Sequence, residues 1–288
     1  MVGGVPEDLG DTIYYVDARN SYGEIYAWDQ AQGARLLLGG DGISRGVQAV
    51  YQDKLVTHRY VNGQRDLYTW DPVNGEAPLC TAPGNQRNAR IYGDTIVWED
   101  YRAGASQIYT WDPVNGERRL SPAVGAQTNP RIWGDRIIWH DDGNCGSYPA
   151  GTYMWTPQDG VSRIGYGDHA AIYQDRVVMW QNAWTEDRPQ DSPIRHPGYL
   201  YEWTPATGFR TILQHDGSTS QLETWGDFVF LGSGAWHPVY GFHFVSPSTL
   251  GTVSSFSAYG NKVALASNND IYLSTLVPEP SSMLALIG

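Results

Sequence analysis

Seven histidines are spread through 288 residues, and two of them have neighbours suited to proton transfer. His140 is followed by Asp141 and Asp142 and, eight residues on, by Tyr148, while His58 precedes Arg59 and Tyr60. An imidazole near a phenol can take a proton from a sugar carbon, so an enzymatic reading rests on His140, Tyr148 and His58. The run Asp141-Asp142-Gly143-Asn144 has the oxygen donors that calcium prefers, yet lacks the regular loop spacing and closing glutamate of a calcium loop. Asp141, Asp142 and Asn144 therefore read first as an acidic turn, with calcium a weak candidate and no cofactor expected. No H-E-x-x-H pair occurs, and no nucleophile elbow is expected. Cys80 and Cys145 read as two free thiols rather than a disulfide framework.

A second set of side chains suits binding better than catalysis. Tyr22, Tyr60, Tyr101, Tyr148, Trp184 and Trp236 are accompanied by Arg102, Arg188, Arg195, His196 and His237. The apolar face of an aromatic ring stacks on a pyranose, and neighbouring polar groups satisfy its hydroxyls. The alternative is that these rings only pack loops onto a rim.

The elements that position both sets recur about every 41 residues. Each period opens on a turn with an acid or amide, at Asp11, Asp53, Asp94, Asp135, Asp175, Asp227 and Asn261, spaced 42, 41, 41, 40, 52 and 34 residues apart. A Tyr-x-Trp strand follows, around Trp28, Trp70, Trp111, Trp155 and Trp203, and decays through Phe242 to Tyr272. Residues 68–76 and 109–117 share the identical run Tyr-Thr-Trp-Asp-Pro-Val-Asn-Gly-Glu. A period of this length made of short β-rich segments is the mark of a radially repeated all-β body. The pattern predicts a seven-bladed β-propeller of four-stranded repeats, with six blades as the alternative and helices nearly absent. In the third period the four strands fall at 88–92, 95–99, 107–111 and 117–120. The recurring tryptophans read as inter-blade packing.

Within each period the first-to-second and third-to-fourth turns are short and constant, while the second-to-third and fourth-to-next loops vary. Variable loops carry function, and these two sets share one face, so the candidate side chains named above belong to one end of the body. The longest, 181–198, breaks the period and is the best place to seek specificity. The first period lacks residues for a full set of strands, and the last lacks its fourth. Met283–Ile287 is expected to supply that outer strand.

The units Asn129-Pro-Arg-Ile-Trp-Gly-Asp-Arg-Ile-Ile-Trp-His and Ala89-Arg-Ile-Tyr-Gly-Asp-Thr-Ile-Val-Trp-Glu-Asp resemble TolB-like β-propeller repeats of secreted and surface-attached microbial proteins. That resemblance spans about 9–276 and implies the fold more than the function. The tail Val277-Pro-Glu-Pro-Ser-Ser-Met-Leu-Ala-Leu-Ile-Gly288 is similar to the start of the PEP-CTERM sorting signal. It implies export to an extracellular or cell-surface location in a Gram-negative bacterium, with the chain stopping inside the signal. The organisation expected is a propeller over 1–276 and a tail over 277–288.

Nineteen basic residues against 31 acidic ones give a net charge of −12. Such a surface repels phosphate backbones, so nucleic acid is not an expected partner. No stretch reaches the 18 apolar residues of a membrane span, and the reading is a soluble body. Because the aromatic anchors repeat whereas a reaction centre is singular, the reading places first an exported, non-catalytic propeller with a binding face for extracellular polysaccharide or a surface protein. A propeller polysaccharide lyase or hydrolase and a structural cell-surface protein are the alternatives.

Overall fold

The computed structural model describes residues 12–19, 22–121, 125–143, 150–186, 194–215, 222–225, 228–231, 234–237, 241–244, 253–259, 262–267 and 270–275. At 184–186, 194–195, 225 and from 231 onward the description covers the backbone alone. Every regular element among these residues is a β-strand. Two compact units divide the chain, Met1–Val124 and Gly125–Gly288.

The first unit holds three antiparallel meanders. The first is β1 (Ile13–Asp17), β2 (Glu24–Asp29) and β3 (Gly33–Leu38). The second is β4 (Arg45–Tyr51), β5 (Lys54–Val61), β6 (Gln64–Asp71) and β7 (Gly75–Cys80). The third is β8 (Gln86–Tyr92), β9 (Thr95–Asp100), β10 (Gln107–Asp112) and β11 (Gly116–Arg119), each within two residues of the strands expected from the sequence.

The second unit opens with β12 (Gln127–Trp133), β13 (Arg136–Asp141), β14 (Gly151–Thr156) and β15 (Gly160–Gly165). The next sheet is β16 (His169–Tyr173) and β17 (Arg176–Gln181), then β20 (Gly198–Thr204) and β21 (Gly208–His215). Between β17 and β20 the long segment folds into a two-stranded ribbon, β18 (Trp184–Glu186) with β19 (Ile194–His196). A four-stranded sheet follows, of β22 (Leu222–Trp225), β23 (Phe228–Leu231), β24 (Gly234–His237) and β25 (Gly241–Phe244). The last described sheet is β26 (Val253–Tyr259), β27 (Lys262–Ser267) and β28 (Asp270–Thr275), three strands among the described residues. The expected outer strand at 283–287, and the tail over 277–288, lie outside the described residues.

The turn chemistry of the repeat explains why the strands end where they do. Asp71 Oδ1 accepts the backbone N–H groups of Val73 and Asn74 at 2.9 and 2.8 Å, and Gly75 closes the turn at φ +72°. Asp112 does the same for Val114 and Asn115, and Thr156 and Thr204 replace it with a hydroxyl in the second unit. A short acceptor at the turn start and a left-handed residue at its end are what such a connection requires. Second strands carry unbroken apolar runs, such as Ile96-Val97-Trp98 and Ile137-Ile138-Trp139, all at most 2% exposed. Residues buried on both sheet faces lose the alternation of a one-sided strand, and each contributes about 1.5–3 kcal/mol of burial.

Neighbouring meanders pack through these strands. Ala49, Tyr51 and Val56 share a core cluster with Ala89, Ile91, Ile96 and Trp98 in the first unit. Ala171, Val178 and Leu200 do so with Leu222 and Val229 in the second. The recurring Tyr-x-Trp tryptophans sit further out than the sequence suggests. Trp28 is 39% exposed, and Trp70 and Trp111 lie half-buried on the edge of their clusters, whereas Trp98 and Trp139 on the second strands are fully buried. The third strand is next to the outer edge of the sheet, where a large ring covers the core without entering it. Turns one period apart are also tied by charge, Lys54 to Asp94 and Arg136 to Asp175.

Candidate functional site

In the second unit, His140 is the penultimate residue of β13 and β16 begins at His169, so the alternation of two sheets brings both imidazoles to the ends facing the variable loops. His140 Nδ1 lies 2.8 Å from the carbonyl oxygen of Gly167. A carbonyl only accepts, so Nδ1 carries the proton and the neutral ring presents its lone pair at Nε2. Across the sheet His140 faces Thr128 and Thr152. His169 is half-buried, and burial pulls its pKa below the ordinary histidine value. Asp168 opposes that, while His140 and Arg131 add to it, which places all four groups in one electrostatic neighbourhood. Asp168 is oriented by the backbone N–H of Asn182, 2.7 Å from Oδ2. Arg131 is held by Glu223 at 3.7 Å and by donation to the Pro130 carbonyl at 3.3 Å.

The acidic turn after His140 is spent on structure. Asp141 is buried and accepts from Gln127 Nε2 at 3.0 Å and from the Gly143 N–H at 2.9 Å, and Asp142 accepts from the Ala126 N–H at 3.2 Å. Asn144, Cys145 and Tyr148 lie outside the described residues. Among the described residues no three His, Cys, Asp or Glu side chains gather closely enough to hold a metal ion.

The first unit carries a separate polar group. Gln48 of β4 bonds His58 Nδ1 at 2.7 Å, and the ring lies on Gly46, where a Cβ would come within 2.4 Å of the imidazole. Burial, then the charge of Arg65, pulls the His58 pKa down to about 4. Tyr60 meets His58 edge-on at 5.3 Å, and Arg65 lies 4.9 Å over the Tyr60 ring while donating to its phenol. One period later Arg87 stacks 4.3 Å over Tyr101 and also donates to its phenol. The buried Glu99 accepts from Tyr101 at 3.1 Å, Asn88 at 2.7 Å and Arg87 at 3.4 Å. The loops bearing the two pairs touch, because Asn85 accepts from the Arg65 N–H at 2.9 Å and its carbonyl accepts from the Tyr101 N–H at 3.0 Å.

Tyr22, 49% exposed, lies in the β1–β2 loop of the same unit. Arg102 is committed within the fold. It donates to Asp100 at 2.7 Å and Glu117 at 2.7 Å, approaches Cys80 Sγ at 3.2 Å and stacks 4.3 Å over Tyr109. Cys80 is free and buried. In the second unit the ribbon pairs Trp184 with His196 in register and carries Arg195, and β24 carries Trp236 and His237. The side chains of Trp184, Arg195, Trp236 and His237 are outside the description, as is Arg188 altogether. Gln48, Arg65, Arg87, Glu99 and Arg131 were absent from the sequence candidates. Their signal was position, since Gln48, Arg87 and Arg131 lie on the first strand of a four-stranded sheet, which enters from a variable loop.

No protein-family model and no curated protein matches this sequence. Solved structures do. The β-propeller domain of the Trilobed protease from Pyrococcus furiosus is similar at TM-score 0.64 and 14% identity, over 94% of this chain and 92% of that one. An oligogalacturonate lyase in complex with manganese is similar at TM-score 0.59 and 12% identity, over 96% and 89%. TolB from Acinetobacter baumannii is similar at 0.51 and 16%, over 76% of this chain, which spans 55% of that protein. At such identities the likeness shows the fold, an all-β, propeller-like architecture related to that of TolB and of propeller enzymes.

The comparison also corrects the functional ranking from sequence. The sequence places a non-catalytic binding propeller ahead of an enzyme. The folds shared here are those of lyases and hydrolases, including an acylaminoacyl peptidase from Pyrococcus horikoshii and a puromycin hydrolase, similar over 52% and 51% of their chains. Repetition of packing anchors was the faulty argument, because it says nothing about unrepeated positions such as His140 and His169. No described helix is long and apolar enough to cross a membrane.

Proposed function

We propose that this chain is a propeller-class enzyme that cleaves polysaccharide, acting as a lyase on an acidic sugar chain. The observation that carries the reading is the His140 Nδ1–H bond to the Gly167 carbonyl, which leaves Nε2 as a proton acceptor beside His169 and Arg131. Two supports come from likeness. The oligogalacturonate lyase is covered over 89% of its chain, whereas the peptidase and the puromycin hydrolase are matched over only about half.

In β-elimination His140 Nε2 takes the hydrogen from the carbon next to the sugar carboxylate. The electron pair becomes the ring double bond, the bond to the glycosidic oxygen breaks, and solvent returns a proton to that oxygen. Arg131, its charge offset by Glu223 at 3.7 Å, serves as a guanidinium hydrogen-bond donor where the carbanion develops. Burial holds the His169 pKa below the ordinary histidine value, which favours its neutral ring beside His140. The described donor set does not fit a metal centre, and no step here is routed through one.

The same proposal includes a ring of seven blades, one per anchor. It is supported by seven meanders of three or four strands among the described residues. It includes export, for which the tail motif and the likeness to TolB are the supports. Within the first unit, Tyr60, Tyr101 and the arginines on them form a separate candidate sugar contact. Purified protein should release unsaturated sugar ends from an acidic polysaccharide, and His140→Gln should abolish that release while melting normally. Release unchanged in His140→Gln removes the histidine from the mechanism, and release of reducing ends without unsaturation replaces the lyase by a hydrolase.

A further inference from the structure

Among the described arginines most are neutralised within the fold, as Arg131, Arg136, Arg176 and Arg210 are in the second unit. Arg163 on β15 differs. It donates to the Ala150 carbonyl at 2.6 Å and lies 4.3 Å over the ring of Tyr166, and among the described residues no carboxylate pairs with it. In a chain of net charge −12 an uncompensated guanidinium on an aromatic face is a local reversal of sign.

That guanidinium stands at one end of a row of rings. Tyr166 meets Phe209 edge-on at 6.0 Å, Phe209 meets Tyr201 at 4.8 Å, and Tyr201 stacks on Tyr199 at 5.7 Å. Tyr166 and Phe209 are 53% and 39% exposed, a large apolar area to leave in water. The cause is local. Gly165 lets the Phe209 ring lie on its backbone, since a Cβ there would come within 2.6 Å of the ring; from that contact Tyr166 lies on the solvent side, and Tyr201 and Tyr199 are half-buried. The rings also keep polar edges, with the Tyr201 hydroxyl donating to Gln181 at 2.8 Å. Tyr166 directly precedes Gly167, whose carbonyl orients His140.

We infer that Tyr166, Phe209 and Tyr201, with Arg163, form a docking strip for an acidic polysaccharide, leading the polymer toward His140. Sugar faces lie on the rings, and a carboxylate of the chain pairs with Arg163. Apolar ring faces with hydroxyl-bearing edges suit a pyranose, which is apolar on its faces and polar around its rim. The unpaired cation selects a carboxylated chain over a neutral one by charge complementarity. The inference rests on the polysaccharide reading and adds a contact outside the histidine pair.

The test uses the full chain with cleavage silenced by His140→Gln, and affinity electrophoresis through gels containing polygalacturonate or its fully methyl-esterified form. Retention by polygalacturonate should fall at least fivefold on adding Tyr166→Ala or Arg163→Gln, and the esterified polymer should retain the protein weakly. In the active protein the same two changes should raise KM for polymer and leave turnover of a trisaccharide unchanged. Melting curves identify any variant that has lost its fold, and Tyr166→Phe, which keeps the ring, should retain at least half of the binding. Retention lost on Tyr166→Ala while the active protein cleaves nothing upholds the strip and sinks the lyase reading. Cleavage with retention undiminished in both variants, no retention of the parent protein, or equal retention of the esterified polymer overturns the strip as assigned.

Discussion

His58 offers the most quantitative prediction. In the unfolded chain its imidazole titrates near the ordinary value of 6.5, and in the fold burial and Arg65 bring that to about 4. Between those values the unfolded chain binds more protons than the folded one, so stability falls as pH is lowered from 6.5 to 4, and the His58 contribution is exhausted below the folded value. At about 1.4 kcal/mol per pH unit the whole window is worth about 3 kcal/mol. His58→Gln keeps an amide that can face Gln48 and removes the titration. Denaturant midpoints at about pH 7 and about pH 4, with the same slope analysis for both proteins, should show the wild type losing about 3 kcal/mol more than the variant. Carboxylates that titrate in the same range cancel in the comparison. Equal losses, or a His58 NMR titration with its midpoint at 6 or above, would refute the reasoning.

Other outcomes follow from single contacts. Arg102→Met strands the fully buried Asp100 carboxylate, which Arg102 and Trp98 hold low against the upward pull of burial. It should cost about 3–5 kcal/mol, much of it recovered in the Arg102→Met, Asp100→Asn double variant, as read by chemical denaturation. Gln52 and Gln174 take φ +51° and +53° where the sister turns have Gly93 and Gly134. Gln52→Gly and Gln174→Gly should each raise stability by about 0.5–1 kcal/mol, and a lower melting temperature would contradict the strain argument. Cys80, whose thiol pKa burial pushes up to about 12, should resist thiol reagents in the native protein and react only on unfolding. Fast native labelling would disprove its enclosure.

Much of the fold was legible because the repeat states its own turns. Asp71 and Asp112 announce a side-chain-capped turn closed by glycine, and β8 to β11 fall within two residues of their expected bounds. The site was legible only in part. His140 could be chosen by its neighbours, but its partner is a backbone carbonyl 27 residues away, which has no side-chain signature. Arg102 looked like a free loop cation, yet the spacing Asp100-x-Arg102 repeats Asp17-x-Arg19, and both arginines turn back onto the aspartate. That repeat in the sequence was the available sign that the charge serves the loop. Arg87 and Gln48 were hidden for the opposite reason. They belong to strands, and only the pairing of β8 with β9 and of β4 with β5 brings them to Glu99 and His58.

The most direct test of the central claim is the fate of water in the products. Digestion of an acidic polysaccharide in water enriched in oxygen-18, followed by mass spectrometry of the fragments, separates the two ways of breaking the bond. Elimination started at His140 predicts one fragment lighter by a water molecule, carrying a ring double bond and no heavy oxygen taken from solvent at the break. Fragments that are saturated and carry one heavy oxygen at the new end would contradict the account.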